Sequence, residues 1–239
     1  MILAIIPARG GSKGIPRKNL QPILGTPLLV HSIRHALGAS RVDRVVVSTD
    51  DDEIAAVSSE AGADVIRRPP ELSGDTAASE SALLHVLDTL RERGEAEPEL
   101  VVFLQATSPV RQPGDIDGAI GVLEDGGFDS LFSASPAHGF VWELRAGRDP
   151  VPLTYDPSHR PMRQEIGERL AENGSLYVMR PRILRETGCR LGGRIGMYRM
   201  GFLEALQIDD PEDLELARWI LEHRELPHDG GGLPAGNER

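Results

Sequence analysis

An apolar run that breaks into a glycine-rich, basic loop most limits how this chain can fold. Ile2-Leu3-Ala4-Ile5-Ile6 is rich in β-branched residues and stops at Pro7, which predicts a buried strand, central in a parallel sheet. Behind it come Gly10, Gly11 and Gly14 among Arg9, Lys13, Arg17 and Lys18. Glycines let backbone N–H groups approach a ligand closely, and a cluster of cations repels itself unless an anionic partner joins it. A polyphosphate satisfies both conditions. The order is neither the G-x-G-x-x-G of dinucleotide sites nor the G-K-[ST] ending of the ATPase P-loop. A plain solvated loop after a strand has the same composition, but here the cations stand in an otherwise acidic chain.

That acidity excludes some partners. The 239 residues carry a formal charge of −11, from 26 Lys and Arg against 37 Asp and Glu, so a nucleic-acid backbone is repelled, while a small anion held by a local basic site is not. Aromatic residues make up 4% of the chain, too few for a single-strand stacking platform. The longest apolar run is far too short to cross a bilayer, and no signal-peptide pattern accompanies it. With one cysteine, Cys189, no intrachain disulfide can form, and a cytoplasmic location is expected.

Along the chain, strand and helix patterns alternate. Helices are predicted over Pro27 to Leu37, Glu53 to Ala61, Ser79 to Arg93, Pro113 to Glu124, Arg182 to Thr187 and from Pro211 to about Leu221. Strands are predicted at Arg44 to Ser48, Asp64 to Ile66, Leu100 to Leu104, Asp129 to Ala134, Ser175 to Met179 and Arg194 to Met200, with a short one just before Pro211. This is the βαβ rhythm of an α/β, doubly wound, mostly parallel sheet. Residues 135 to 174 lose the period, apart from a weak edge strand at Phe140 to Leu144, and read as a lid or an arm that packs on a partner. The nucleotide-binding unit is therefore expected at 1–134 and 175–221, with 135–174 inserted and a disordered tail at 227–239.

Several strand ends converge on one crevice: the basic loop, Asp50, Gln105 to Arg111 and Asp209. Cations there suit phosphates, and a carboxylate suits a divalent cation, for which Asp209 is the strongest candidate. Asp210 and Asp213 read equally well as helix caps. His85 reads as a half-buried helix residue, and His31, His35, His138 and His159 lack zinc spacing. Ser12 and Ser108 have no triad around them.

Arg9-Gly10-Gly11-Ser12-Lys13-Gly14 with Lys18-Asn19, Ser48-Thr49-Asp50, Arg68-Pro69 through Asp75, Leu104 through Arg111, Asn173-Gly174-Ser175-Leu176-Tyr177, and Ile208-Asp209 through Asp213-Leu214 together resemble the acylneuraminate cytidylyltransferases, or CMP-sialic acid synthetases. The resemblance implies a Rossmann-like nucleotidyltransferase fold. It implies transfer of CMP from CTP to the anomeric hydroxyl of a nine-carbon 2-keto-3-deoxy sugar acid of sialic, legionaminic or pseudaminic type, with Mg²⁺, releasing pyrophosphate. By the same resemblance Arg9, Lys18 and Asp209 are catalytic, and Arg9, Gly11, Ser12, Lys13, Lys18, Arg68 and Asp75 bind nucleotide. Gln105, Thr107, Ser108, Arg111, Arg163 and Gln164 would meet the sugar acid, Asp209 and Gln207 the metal. A homodimer is implied, with the 135 to 174 arm reaching the partner's site. Gln207 and Leu170 depart from the family, which often has an aspartate and an aromatic there. A Kdo or phosphonate acceptor, or a noncatalytic nucleotide-binding protein, are the alternatives.

Overall fold

The computed structural model describes residues 1–12, 14–74 and 77–223, with the backbone but not the side chain of Arg163. Lys13, Asp75 and the tail from Pro227 lie outside the described residues.

The apolar N-terminal run forms β1 (Ile2–Pro7), and the loop after it leads into a small ribbon of β2 (Pro22–Ile23) and β3 (Thr26–Pro27). Then follow α1 (Leu28–Gly38), β4 (Arg44–Thr49), α2 (Asp52–Glu60), β5 (Asp64–Arg67), α3 (Ser79–Glu92), β6 (Leu100–Leu104), α4 (Asp115–Asp125) and β7 (Ser130–Pro136). A two-stranded ribbon of β8 (Trp142–Glu143) and β9 (Val151–Pro152) stands off the sheet, before β10 (Leu170–Met179), α5 (Pro181–Thr187), β11 (Ile195–Arg199) and α6 (Pro211–Glu222). The seven-stranded sheet has the order β11-β7-β10-β6-β1-β4-β5. Only β10 runs against its neighbours, pairing antiparallel with β6 and β7.

Alternation along β1 explains the layers. Ile2, Ala4 and Ile6 face α1 and α4 through Leu29, Ile33, Ile116 and Ile120, while Leu3 and Ile5 face Leu83, Val86, Leu87 and Leu90 of α3. Each of the larger side chains removed from water contributes about 1.5–3 kcal/mol, and a strand buried on both faces has to lie inside the sheet. A third cluster, of Ile15, Ile23, Leu28, Ile208, Leu214 and Ala217, pins the glycine loop to the start of α6. Apart from three segments, the helices and strands expected from the sequence are present, with ends shifted by a residue or two.

Three segments differ from expectation. β10 begins at Leu170 rather than Ser175, because Leu170, Ala171 and Glu172 pair with Pro136, Ser135 and Ala134 before an irregularity at Gly174, whose φ is +69°. The Phe140 to Leu144 segment pairs with β9 rather than with the sheet edge. No strand precedes Pro211: Leu203–Ala205 is a single 3-10 turn, and Ile208 donates one backbone bond to Thr107. The apolar Leu206 and Ile208 that suggested a strand are used to fill the third cluster.

Candidate active site

From β1 the chain moves outward to β4 and β5, then crosses back through α3 to β6 on the other side of β1. Between the carboxyl ends of β1 and β6 the loops diverge, and such a switch point is where open α/β sheets bind ligands. A cleft of about 530 Å³ opens there. The glycine loop supplies Arg9, Gly11, Ser12, Gly14, Lys18 and Asn19 to its lining, and the end of β6 supplies Phe103, Gln105, Ala106 and Thr107. Arg68, Ala77 and Ser79 close one side and Asp209 another.

The loop holds its shape through its acidic neighbours. Gly10 donates its N–H to Asp50 Oδ1 at 3.0 Å, and Arg17, in the left-handed region at φ 55°, donates to Asp51 Oδ2 at 2.8 Å. Two glycines are required by contact: a Cβ on Gly10 would lie 2.6 Å from Asp51 Oδ2, and one on Gly14 2.4 Å from the Asp209 carbonyl. Asn19, almost fully buried, donates to the Arg9 carbonyl at 3.0 Å and so holds both ends of the loop together.

The cations face the cleft in different ways. Lys18 Nζ donates to the Ile208 carbonyl at 2.7 Å and to Asp209 Oδ1 at 2.9 Å. Asp213 accepts the backbone N–H groups of both Asp209 and Asp210, each at 2.9 Å, and the Asp209 side chain, paired with Lys18, is 69% exposed at the cleft. Arg68 is buried, donating to the Ser48 carbonyl at 2.7 Å, and its Nε has no hydrogen-bond partner. Burial holds its guanidinium below the usual arginine range; Asp50 opposes that shift and Arg9 adds to it. An anion in the cleft would relieve both the burial and the repulsion.

Comparison with known proteins agrees with this layout. A family model described as cytidylyltransferase matches residues 3–224. The chain belongs to the cytidylyltransferase family. It is 38% identical over 221 residues to N-acylneuraminate cytidylyltransferase A of Danio rerio, covering 90% of this chain and 50% of that protein. It is 26% identical over 227 residues to post-translational flagellin modification protein B of Campylobacter coli, covering 94% and 97%. The chain thus spans about half the length of the first of these relatives and nearly all of the second. Among solved structures, a CMP:2-keto-3-deoxy-manno-octonic acid synthetase complexed with CTP superposes with a TM-score of 0.72 at 20% identity, covering 93% of this chain and 99% of that one.

Arg9, Gly11, Ser12, Lys18, Arg68, Gln105, Thr107 and Asp209 share the cleft lining. Arg111 and Ser108 do not. Arg111 is fully buried beneath the cleft floor and donates to Ser32 Oγ at 2.8 Å and to the Gln105 and Ser175 carbonyls at 2.7 and 2.6 Å. Burial pushes its guanidinium down to about 9 against the pull of Asp115. Ser108 is buried as well, its Oγ without a hydrogen-bond partner, and neither residue lines the cleft. Gln207 donates its amide N–H to the Asn173 carbonyl and is absent from the lining. Gln164 is exposed on the arm, where its Nε2 lies 3.5 Å from Met162 Sδ.

Phe103, Ser79, Ala77 and Asn19 were not assigned roles from the sequence. Phe103 had a usable signal, since it lies two residues before Gln105 on a strand and so shares its face. Ser79 and Ala77 had none, because only the packing of α3 brings the start of that helix beside the loop.

Proposed function

We propose that the chain transfers CMP from CTP to the anomeric hydroxyl of a keto-deoxy sugar acid of sialic, legionaminic or pseudaminic type, releasing pyrophosphate. The observation that carries this reading is the Lys18–Asp209 pair, at 2.9 Å, across a cation-lined cleft at the switch point. The 38% identity to an N-acylneuraminate cytidylyltransferase supplies the acceptor class.

In this reading the triphosphate lies along Arg9, Lys18 and the loop at Gly11 and Ser12, with Arg68 beneath it. Lys13 and Asp75 belong to the same nucleotide site by resemblance. The acceptor enters beside Gln105 and Thr107. Its hydroxyl oxygen, on losing its proton to solvent water, attacks the α-phosphorus in line; the new O–P bond forms as the bond to the β-phosphate oxygen breaks and pyrophosphate leaves. Charge growing on the phosphoryl oxygens meets Arg9, Lys18 and Arg68, fixed before the reaction begins.

The donor set suits Mg²⁺. Among the described residues no three His, Cys, Asp or Glu side chains converge as a ready cage, and Mg²⁺ is commonly held by one or two carboxylates with substrate phosphates. Asp209 would hold it. The Gln207 carbonyl is a weaker second donor, since its amide is already tied to Asn173. Bound there, the ion would neutralise phosphate charge and favour the ionised acceptor.

We also infer a homodimer in which the 135–174 arm, with Arg163 and Gln164, reaches the partner's cleft, since Gln164 is exposed on the arm and does not line the cleft of its own chain. A cytoplasmic setting goes with a nucleotide co-substrate and a lone exposed cysteine.

The test is pyrophosphate release from CTP and Mg²⁺ with N-acetylneuraminic, legionaminic, pseudaminic and Kdo acids and 2-aminoethylphosphonate in separate reactions. Release with a nine-carbon acid is expected. Release only with Kdo or the phosphonate would transfer the assignment to that acceptor, and CTP binding without release in any reaction would leave a noncatalytic nucleotide-binding protein.

A further inference from the structure

Phe103 lines the cleft yet is almost fully buried, so its place is set by what packs behind it. Its cross-strand partner on β10 is Tyr177, and the two rings stack with centres 5.4 Å apart and planes 14° from parallel. Arg190, in the turn between α5 and β11, covers both: its Cζ lies 4.9 Å from each ring centre. A guanidinium over a pair of aromatic rings is attracted to both, most strongly where water is kept away.

The guanidinium is itself fixed. Its Nε donates to Glu80 Oε1 at 2.6 Å, joining residues 110 apart in the chain. Exposed ion pairs hold little because water screens them, but these two side chains are only 22% and 16% exposed. Burial pushes the Glu80 carboxyl up, yet the Arg190 hydrogen bond helps to outweigh it and hold the group below the usual carboxylate range. Glu80 lies in the first turn of α3, where an acid meets the helix dipole without any partner. The dipole does not explain why an arginine from beyond α5 reaches it across the two rings. Glu80, Arg190 and Phe103 form a brace from α3 to the end of β6, and Phe103 shares its strand face with Gln105, two residues on.

On the reading that the acceptor enters beside Gln105, we propose that Arg190, held by Glu80, is a positioning residue for the acceptor. It locks the Phe103 ring into the wall beside Gln105 and so governs the fit of the sugar acid rather than that of CTP. Arg190 is absent from the cleft lining, so its effect passes through Phe103.

Steady-state pyrophosphate release tests this, with CTP and the acid that the parent protein uses varied in turn. Arg190→Met should raise the KM for the acid by roughly tenfold, the loss of one desolvated cation–π anchor, and leave the KM for CTP within about twofold of the parent. Arg190→Lys, which keeps a charge for Glu80 and the rings, should recover most of the loss. Phe103→Leu should raise the same KM, and adding Arg190→Met to it should change nothing further, because the residue through which Arg190 acts is gone. An unchanged KM for the acid, equal rises for both substrates, or additive losses in the double variant would overturn the proposal. A parent protein that turns over no acid would instead sink the proposed reaction, and fluorine NMR on the chain labelled with 4-fluorophenylalanine then decides the brace by itself. The chain has five phenylalanines, and Phe103→Leu identifies the Phe103 signal. That signal should be a single line in the parent and split or broadened in Arg190→Met; a single sharp line in the variant would overturn the brace.

Discussion

Lys18 and Asp209 hold one another in this structure, and the proposed reaction asks each to hold something else. Asp209 is exposed and carries no packing role, so Asp209→Asn should change stability by no more than about 0.5 kcal/mol while lowering turnover by roughly a hundredfold or more. Initial rates of pyrophosphate release beside thermal unfolding separate the two effects; equal losses in both would remove Asp209 from the chemistry. Lys18→Ala should raise the CTP concentration needed for half-maximal rate, and an unchanged dependence would remove Lys18 from the phosphate site. The sequence pointed both residues to the cleft where they lie, Lys18 through the basic loop after β1 and Asp209 through its acidic motif before α6, although no strand precedes Asp209. Arg111 follows β6, yet points into the protein and braces the Gln105 and Ser175 carbonyls. The direction of a long side chain is decided by the whole packing around it, which strand-end position does not encode.

At the scale of elements, the loop and α2 are one unit. Asp51 accepts the Ile54 N–H at 2.9 Å, capping α2, and also receives Arg17 from the glycine loop at 2.8 Å. Burial pushes the Asp51 carboxyl up, but the Ile54 hydrogen bond and the Arg17 guanidinium outweigh it and hold the group below the usual carboxylate range. A carboxylate depressed in the folded state binds fewer protons there than in the unfolded chain, so its stabilisation is present above the unfolded value of about 4 and is lost as pH falls through the lower folded value. Asp51→Ala should therefore cost about 1–2 kcal/mol near neutral pH, and the gap to the parent protein should narrow as pH falls below about 4. Urea unfolding across that range measures it, and a gap independent of pH would mean the loss is one of shape rather than charge. The helix itself, expected over Glu53 to Ala61 and found at Asp52–Glu60, was legible since acids open it and glycine ends it. The sheet pairing of Leu170 to Glu172 was hidden by Gly174 and by neighbours without strand period, because that pairing is set by β7 and not by local preference.

Across the whole molecule, exposed apolar surface gathers on the arm. Val141, Trp142, Leu144, Val151, Leu153 and Met162 are all exposed on or beside the β8–β9 ribbon, and two strands of two residues each bury too little to stand alone. Contiguous apolar surface of this kind marks a place where another surface packs. Phe140 and Trp142 close on Tyr155, with ring centres 4.4 and 5.8 Å away, so the ribbon is stiffened from within and presents its remaining apolar side chains outward. The proposed homodimer covers them. Light scattering should then find a particle of twice the chain mass, and Leu144→Glu combined with Leu153→Glu should yield monomers by placing charges in the contact. Those monomers should still bind CTP, because every described residue lining the cleft comes from 7–19, 68–79, 103–107 and 209 of one chain. They should lose acceptor-dependent pyrophosphate release, because Arg163 and Gln164 would no longer reach a neighbouring cleft. A double variant that stays monomeric and keeps full activity would show that one chain is sufficient and that the arm serves another partner.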